Sequence, residues 1–138
     1  MTLAFGLLAL IALPQVASAP EGGATSAAAR NTAVESTARA WLALVDQSRW
    51  EESWAATASS FRKSNTSKTW ATVSEQVRVP LGAMRSRVLI SQDSVPAPPA
   101  GVEVVKFRTS YANKAQAVET VSLALEEGQW RVVGVYIE

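Results

Sequence analysis

Neither cysteine nor histidine occurs anywhere in the 138 residues. The missing cysteine excludes disulfides, thiolate nucleophiles, zinc-finger-type sites and a lipoprotein anchor, which needs a cysteine at its cleavage point. The missing histidine removes the commonest general acid/base and the commonest metal ligand. A Gly-x-Ser-x-Gly motif, a P-loop and a cluster of metal-ligand residues are absent as well. No cofactor and no metal are expected. Charge of one sign is also lacking: 13 basic side chains stand against 12 acidic ones, for a formal net charge of +1. That balance gives no electrostatic case for a nucleic-acid partner. The length suits one domain and is too short for two with full-sized cores.

What is present begins with an address. Residues 3–13, LAFGLLALIAL, form an uncharged apolar run, followed by Ala17-Ser18-Ala19. This order reads as a secretory signal peptide over residues 1–19, cleaved near Ser18 or Ala19. A membrane span needs about 20 apolar residues, and Pro14 and Gln15 break the run before that. The expected location is therefore outside the cytoplasm, periplasmic or secreted, with no stable membrane anchor after processing. Residues 20–30, beginning PEGGATSAAA, read as a flexible lead-in. Residues 31–138 remain as one domain.

From Asn31 the apolar residues Val34, Ala38, Trp41, Leu42 and Val45 fall at helical spacing. Thr32 with Glu35 fits a capping box for this first helix, and Ser48 with Glu51 fits one for a second. Trp50, Trp54, Ala58 and Phe61 form the stripe of that second helix. Ser67 or Thr66 would cap a third, carrying Trp70, Val73 and Val77 on one face and ended by Pro80 and Gly82. Beyond Gly82 the period becomes two. Residues 84–91 form a strand with Met84, Val88 and Ile90 on one face. Residues 96–101, PAPPAG, cannot pair in a sheet. Residues 102–111 alternate, with Val105, Phe107, Thr109 and Tyr111 inward and Lys106 and Arg108 outward. Residues 116–126 and 129–137 follow, joined by a tight Glu127-Gly128 hairpin. The expected fold class is α+β: three N-terminal helices packed on one face of a four-stranded curved antiparallel sheet.

The stretch WLALVDQSRWEESW, residues 41–54, holds three of the five tryptophans. Rings spaced this way fit the seam between two helices and the sheet, where each buries on the order of 200 Å². The same stretch carries a family resemblance: WLxLVD, a short spacer, then SW, here Trp41 to Asp46 and Ser53-Trp54. RVPLGAMRSR (78–87), FRTSYANK (107–114) and ETVSLALEEGQWRVVGVYI (119–137) continue it in order. Together these resemble domain-of-unknown-function family 4019, bacterial exported proteins. The resemblance implies an envelope protein of unknown activity. It also implies kinship with cystatin-like or nuclear-transport-factor-2-like folds, whose helices and curved sheet often leave a cone-shaped pocket. It transfers no catalytic residue.

Register arithmetic singles out one carboxylate. A two-residue turn at Glu127-Gly128 faces Leu125 to Trp130, Leu123 to Val132, Val121 to Gly134 and Glu119 to Tyr136. A three-residue loop, Asn113 to Ala115, pairs Phe107 with Val121 and Thr109 with Glu119. Glu119 then lies on an apolar face between Thr109 and Tyr136. There it lines a pocket with a raised pKa, or sits solvated at the sheet's end, or is paired with an arginine such as Arg78 and hydrogen-bonded by Tyr136. The candidate ligand contacts are Glu119, Thr109, Tyr136, Phe107 and Trp130. The candidate catalytic groups are Glu119 or Asp46 as base and Tyr136 or Tyr111 as proton donor. Arg85, Arg87, Lys106 and Arg108 would form a basic patch on the open face of the sheet. The function expected is a small envelope binding or protein-interaction module, more in keeping with a non-enzyme. The alternative is a ketosteroid-isomerase or cyclase-like enzyme acting on a small apolar ligand. The partner is unspecified: an envelope protein, a small apolar ligand or a second copy in a homodimer.

Overall fold

The computed structural model describes residues 22–138, with side chains from Ser26 onward. The expected signal peptide and its cleavage site lie outside the described residues. Four helices precede four strands: α1 (Gly22–Asp46), α2 (Trp50–Ala55), α3 (Ser59–Ser64), α4 (Ser67–Arg78), then β1 (Met84–Val95), β2 (Val102–Tyr111), β3 (Lys114–Glu126) and β4 (Gln129–Ile137). The strands form one antiparallel sheet in the order β1-β2-β3-β4. The fold class is α+β, with four α-helices among the described residues where the sequence suggests three.

Helix α1 starts at Gly22, so residues 22–30, expected as a flexible lead-in, are its first turns. Thr32 is therefore inside the helix rather than at its cap, and its hydroxyl donates to the Ala28 carbonyl at 3.0 Å. The buried stripe is the one the spacing predicts: Val34, Ala38, Trp41, Leu42 and Val45. Fully burying an aliphatic or aromatic side chain contributes about 1.5–3 kcal/mol, which is why α1 lies across the sheet. The helix ends in a Schellman turn, with Ser48 N–H on the Val45 carbonyl and Arg49 N–H on the Leu44 carbonyl, both at 3.0 Å. Ser48 takes the left-handed conformation such a turn requires (φ 57°). It therefore closes α1 instead of capping α2.

The expected second helix splits in two. After Ala55 the chain meets the edge of β4: Thr57 bridges Val132, and Ala58 N–H donates to the Val132 carbonyl at 2.8 Å. Helical hydrogen bonding cannot continue through residues committed to a strand, so α3 begins afresh. Its first N–H, that of Ser59, is taken by the Glu126 carboxylate at 3.0 Å, and the positive helix end favours that anion. Helix α4 has the expected cap, Thr69 N–H donating to Thr66 Oγ1 at 3.1 Å. A 3-10 turn, Val79–Leu81, containing Pro80, closes it. Gly82, at φ 77°, turns the chain into β1, and a side chain there would press on Ala112 and Asn113.

The tryptophans of residues 41–54 are core. Trp41 is 3% exposed, and its ring centroid lies 5.7 Å from that of Trp70. Phe61 meets Trp70 edge-on at 5.5 Å. Buried indoles need acceptors, and Ser53 supplies two. Its carbonyl accepts from Trp41 Nε1 at 2.8 Å, and its hydroxyl accepts from Trp70 Nε1 at 2.9 Å. Trp50 and Trp54 pack against this core from its margin.

Two strands differ in facing from the sequence reading. In β1 Arg87, Leu89, Ser91 and Gln92 are half-buried, while Met84, Val88 and Ile90 are exposed. In β4 a bulge between the Leu123–Val132 and Ser122–Gly134 pairs inserts Val133. One extra residue reverses the facing of everything after it. Leu125–Trp130 and Leu123–Val132 pair as expected, but Val121 then meets Val135 and Glu119 meets Ile137. Tyr136 consequently turns to the outer face, where it is 62% exposed. At the other hairpin the turn has two residues, Ala112-Asn113, and a bulge between Thr109 and Tyr111 restores the parity that a three-residue loop would have given. Phe107 therefore pairs with Glu119 and Thr109 with Ala117, two residues off the expected register.

Substituting Ser53→Ala should strand the Trp70 indole N–H in the core. The expected cost is about 1–3 kcal/mol, measured as a lower urea midpoint with an unchanged m-value.

Candidate functional site

The alternation of β2 and β3 brings Thr109 and Glu119 to the face the helices cover, and Glu119 is 0% exposed. An ionised carboxylate there requires compensation. Arg78, the last residue of α4, and Arg87, from β1, provide it. Arg87 Nε and Nη2 donate to Glu119 Oε1 at 2.9 and 2.7 Å. Arg78 Nη1 donates to Glu119 Oε2. Thr109 Oγ1 donates to Glu119 Oε1 at 2.6 Å.

The network extends outward from this pair. Arg87 Nη1 and Nη2 grip the two oxygens of Asp46 at 2.7 and 3.0 Å, the planar fork-to-fork geometry that makes arginine–carboxylate pairs strong. Asp46 is the last residue of α1, where the helix dipole disfavours an anion; the guanidinium offsets that. The Tyr111 hydroxyl accepts from Arg78 Nη1 at 2.9 Å and from Arg87 Nη2 at 3.3 Å. Two guanidiniums and two carboxylates thus balance in charge while tying α1 and α4 to three strands.

Burial pushes the Glu119 carboxyl up, but the Arg78 and Arg87 charges and the Thr109 hydroxyl outweigh it, leaving the pKa below the usual carboxylate value. Burial lowers Arg87, and the Asp46 hydrogen bond with the Glu119 and Asp46 charges more than reverses that, so it stays charged. Burial, with the Glu119 charge, pushes the Tyr111 phenol up to about 12. A general base needs a pKa near the working pH and a lone pair that substrate can reach. Glu119 has both oxygens engaged and its pKa displaced the other way. The arrangement therefore acts as an electrostatic clamp.

The five candidate contacts divide. Glu119, Thr109 and Phe107 come together, and the Phe107 ring also receives the Arg39 guanidinium at 4.9 Å from its centroid. Tyr136 is on the opposite face because of the Val133 bulge. Trp130 sits at the far end of the hairpin, paired with Leu125. Asp46 joins the network through Arg87 and also lines a cleft that includes Trp50 and Tyr111. The centre of the space between helices and sheet is filled by Leu42, Val105, Phe107, Val121, Leu123 and their neighbours.

Two functional-looking residues were missed. Strand alternation puts Arg87 on the outer face with Arg85, Lys106 and Arg108, yet its side chain is only 6% exposed; the basic patch loses that member. Glu103 is also buried. Ser94 Oγ lies 2.8 and 2.9 Å from its two carboxylate oxygens, and Arg30 lies 3.8 Å away. Its parity with Val105 and Phe107 was the signal that could have found it.

Open space lies elsewhere. A groove of about 250 Å³ runs between α4 and β4, lined mainly by Trp70, Val73, Val77, Val135 and Ile137. A second cleft, of about 220 Å³, borders the ion network near Trp50, Met84 and Tyr111. Among the described residues no group of acidic side chains could hold a metal ion, and no helix is long and apolar enough to cross a membrane.

In comparisons with known proteins, a family model described as Protein of unknown function (DUF4019) matches residues 37–135. No curated protein matches.

Glu119→Gln should leave the buried Arg78 guanidinium without an anion and Arg87 with Asp46 alone, and cost about 3–5 kcal/mol in unfolding free energy. The folded-state pKa of Glu119 lies below its unfolded value of about 4.3. Its contribution is therefore present at neutral pH and lost as pH falls from about 4.3 through the folded pKa. Unfolding free energy measured in acid should fall for the wild type, with a shallower fall for Glu119→Gln.

Proposed function

Because the chain belongs to the DUF4019 family, proteins of unknown function, its role has to be read from its own surface, and we propose that it is an exported bacterial envelope protein acting as a binding or protein-interaction module. The observation that carries this reading is the α4–β4 groove. Val73 and Val77 on α4 are 48% and 43% exposed, beside Val135 and Ile137. Exposed apolar side chains gathered at one groove mark an interaction site more often than scattered single ones do. The core beneath is filled and the buried carboxylate is clamped, which speaks against a ketosteroid-isomerase-like enzyme with Glu119 as base. The order of helices followed by a four-stranded meander supports kinship with cystatin-like and nuclear-transport-factor-2-like folds. Export rests on the apolar run at residues 3–13 and the small residues after it.

Native mass spectrometry of the protein isolated from its host's envelope should show it bound to polypeptide, either another protein or a second copy. Val77→Asp should release that polypeptide while changing stability by no more than about 0.5 kcal/mol, as expected for a surface site. A single small molecule of a few hundred daltons, bound one to one and unaffected by Val77→Asp, would overturn the reading.

A further inference from the structure

The hydrogen-bond pattern of β4 shows which of its backbone groups are free. Val118 and Glu138 exchange both bonds, at 2.9 and 3.0 Å. In an antiparallel ladder, bonded and non-bonded pairs alternate. Glu119–Ile137 and Val121–Val135 are therefore non-bonded pairs, and Thr120–Tyr136 between them is bonded. The N–H and C=O groups of Val135 and Ile137 thus point away from β3. Among the described residues nothing bonds them. The edge is covered only as far as Val132, whose carbonyl takes the Ala58 N–H.

The opposite edge differs. Strand β1 has two register shifts and turns Arg87 inward, devices that discourage pairing with another chain. The end of β4, Val133-Gly134-Val135-Tyr136-Ile137, has no charge and no proline. It is an unprotected edge bordered by the exposed valines of α4.

We propose that this edge pairs antiparallel with the same edge of a second copy, about a two-fold axis at Tyr136, joining two four-stranded sheets into one. The proposal rests on the interaction-module reading and names its partner. The register is self-complementary, as an isologous contact must be. With the axis on Tyr136, Val135 of each copy faces Ile137 of the other. Both residues point their free groups across the seam, so each pair exchanges two bonds. Tyr136 meets its own copy as a non-bonded pair on the outer face, where its exposed ring gains a cross-strand aromatic neighbour. In this register Glu138 of each copy falls opposite Gly134 of the other, so the two carboxylates stand at opposite ends of the paired stretch and no like charges meet. Val73 and Val77 border the same edge, so the two α4 helices arrive at one seam and cover them.

Because the chain has no cysteine, one introduced thiol reports the axis. Antiparallel non-bonded pairs bring Cα atoms to about 4.5 Å, within the roughly 4.4–6.8 Å a disulfide spans. Full-chain Tyr136→Cys, mildly oxidised, should give a covalent dimer on a non-reducing gel. Thr120→Cys, one strand inward on the same face, should not. Light scattering of the wild type across a concentration series should show twice the monomer mass. Ile137→Pro, which removes an outward N–H without touching the β3 ladder, should give a folded monomer. A wild type monomeric at every concentration with no Tyr136→Cys cross-link would overturn the proposal, as would a dimer cross-linked instead through Thr120→Cys. If the wild type is monomeric but the envelope-isolated protein carries a different polypeptide that Val77→Asp releases, the second copy is ruled out and the groove reading stands. A bare monomer in both experiments overturns both.

Discussion

The Arg87–Glu119 ion pair is the constraint around which the domain is arranged. Glu119 has no contact with solvent, and its charge is tolerated only because two guanidiniums and a hydroxyl reach it at once. Arg87 can reach it only if β1 turns that residue inward, which exposes Val88 and Ile90. Arg78 can reach it only if α4 ends where it does, at the 3-10 turn containing Pro80. Asp46 completes the set from the end of α1. A polar network buried this deeply strongly favours the one arrangement in which all its members are satisfied. Helix ends and strand facings that look independent along the chain are therefore fixed together.

Much of the fold was legible. The helical stripe of α1, the Thr66 cap, the alternation of β2 and the Glu127-Gly128 hairpin follow from local rules, and the structure has them. Glu119 as a buried carboxylate was also legible, because parity survives an error of two residues in register. Much of what failed depended on contacts distant in sequence. Helix α2 stops at Ala55 because β4 captures Thr57 and Ala58, and nothing near residue 55 announces that. Ser48 and Glu51 match a capping box, but the preceding helix claimed Ser48 first. The apolar pattern of β1 pointed Val88 inward, and the ion network overrode it.

Bulges account for the remaining differences at the candidate site. The one at Val133 sent Tyr136 to the outer face and removed it from any site with Glu119. The one between Thr109 and Tyr111 compensated for a two-residue turn, which kept Thr109 and Glu119 on the same side. A bulge adds one residue with little sequence signature beyond a nearby glycine such as Gly134, so period-two reasoning holds only up to the first one.

The clamp also bears on how the sequence can change over generations. A chain that lost Glu119 first would leave Arg78 buried without an anion and Arg87 with Asp46 alone. A chain that lost Arg87 first would leave Asp46 at an unfavourable helix end and Glu119 with half its support. Each single step passes through a poorly tolerated intermediate, whereas exchanging the group together need not. Positions 46, 78, 87 and 119, scattered over more than half the chain, should therefore be inherited as a unit. Within the family they would covary far more tightly than the apolar positions packed around them, which can be replaced one at a time.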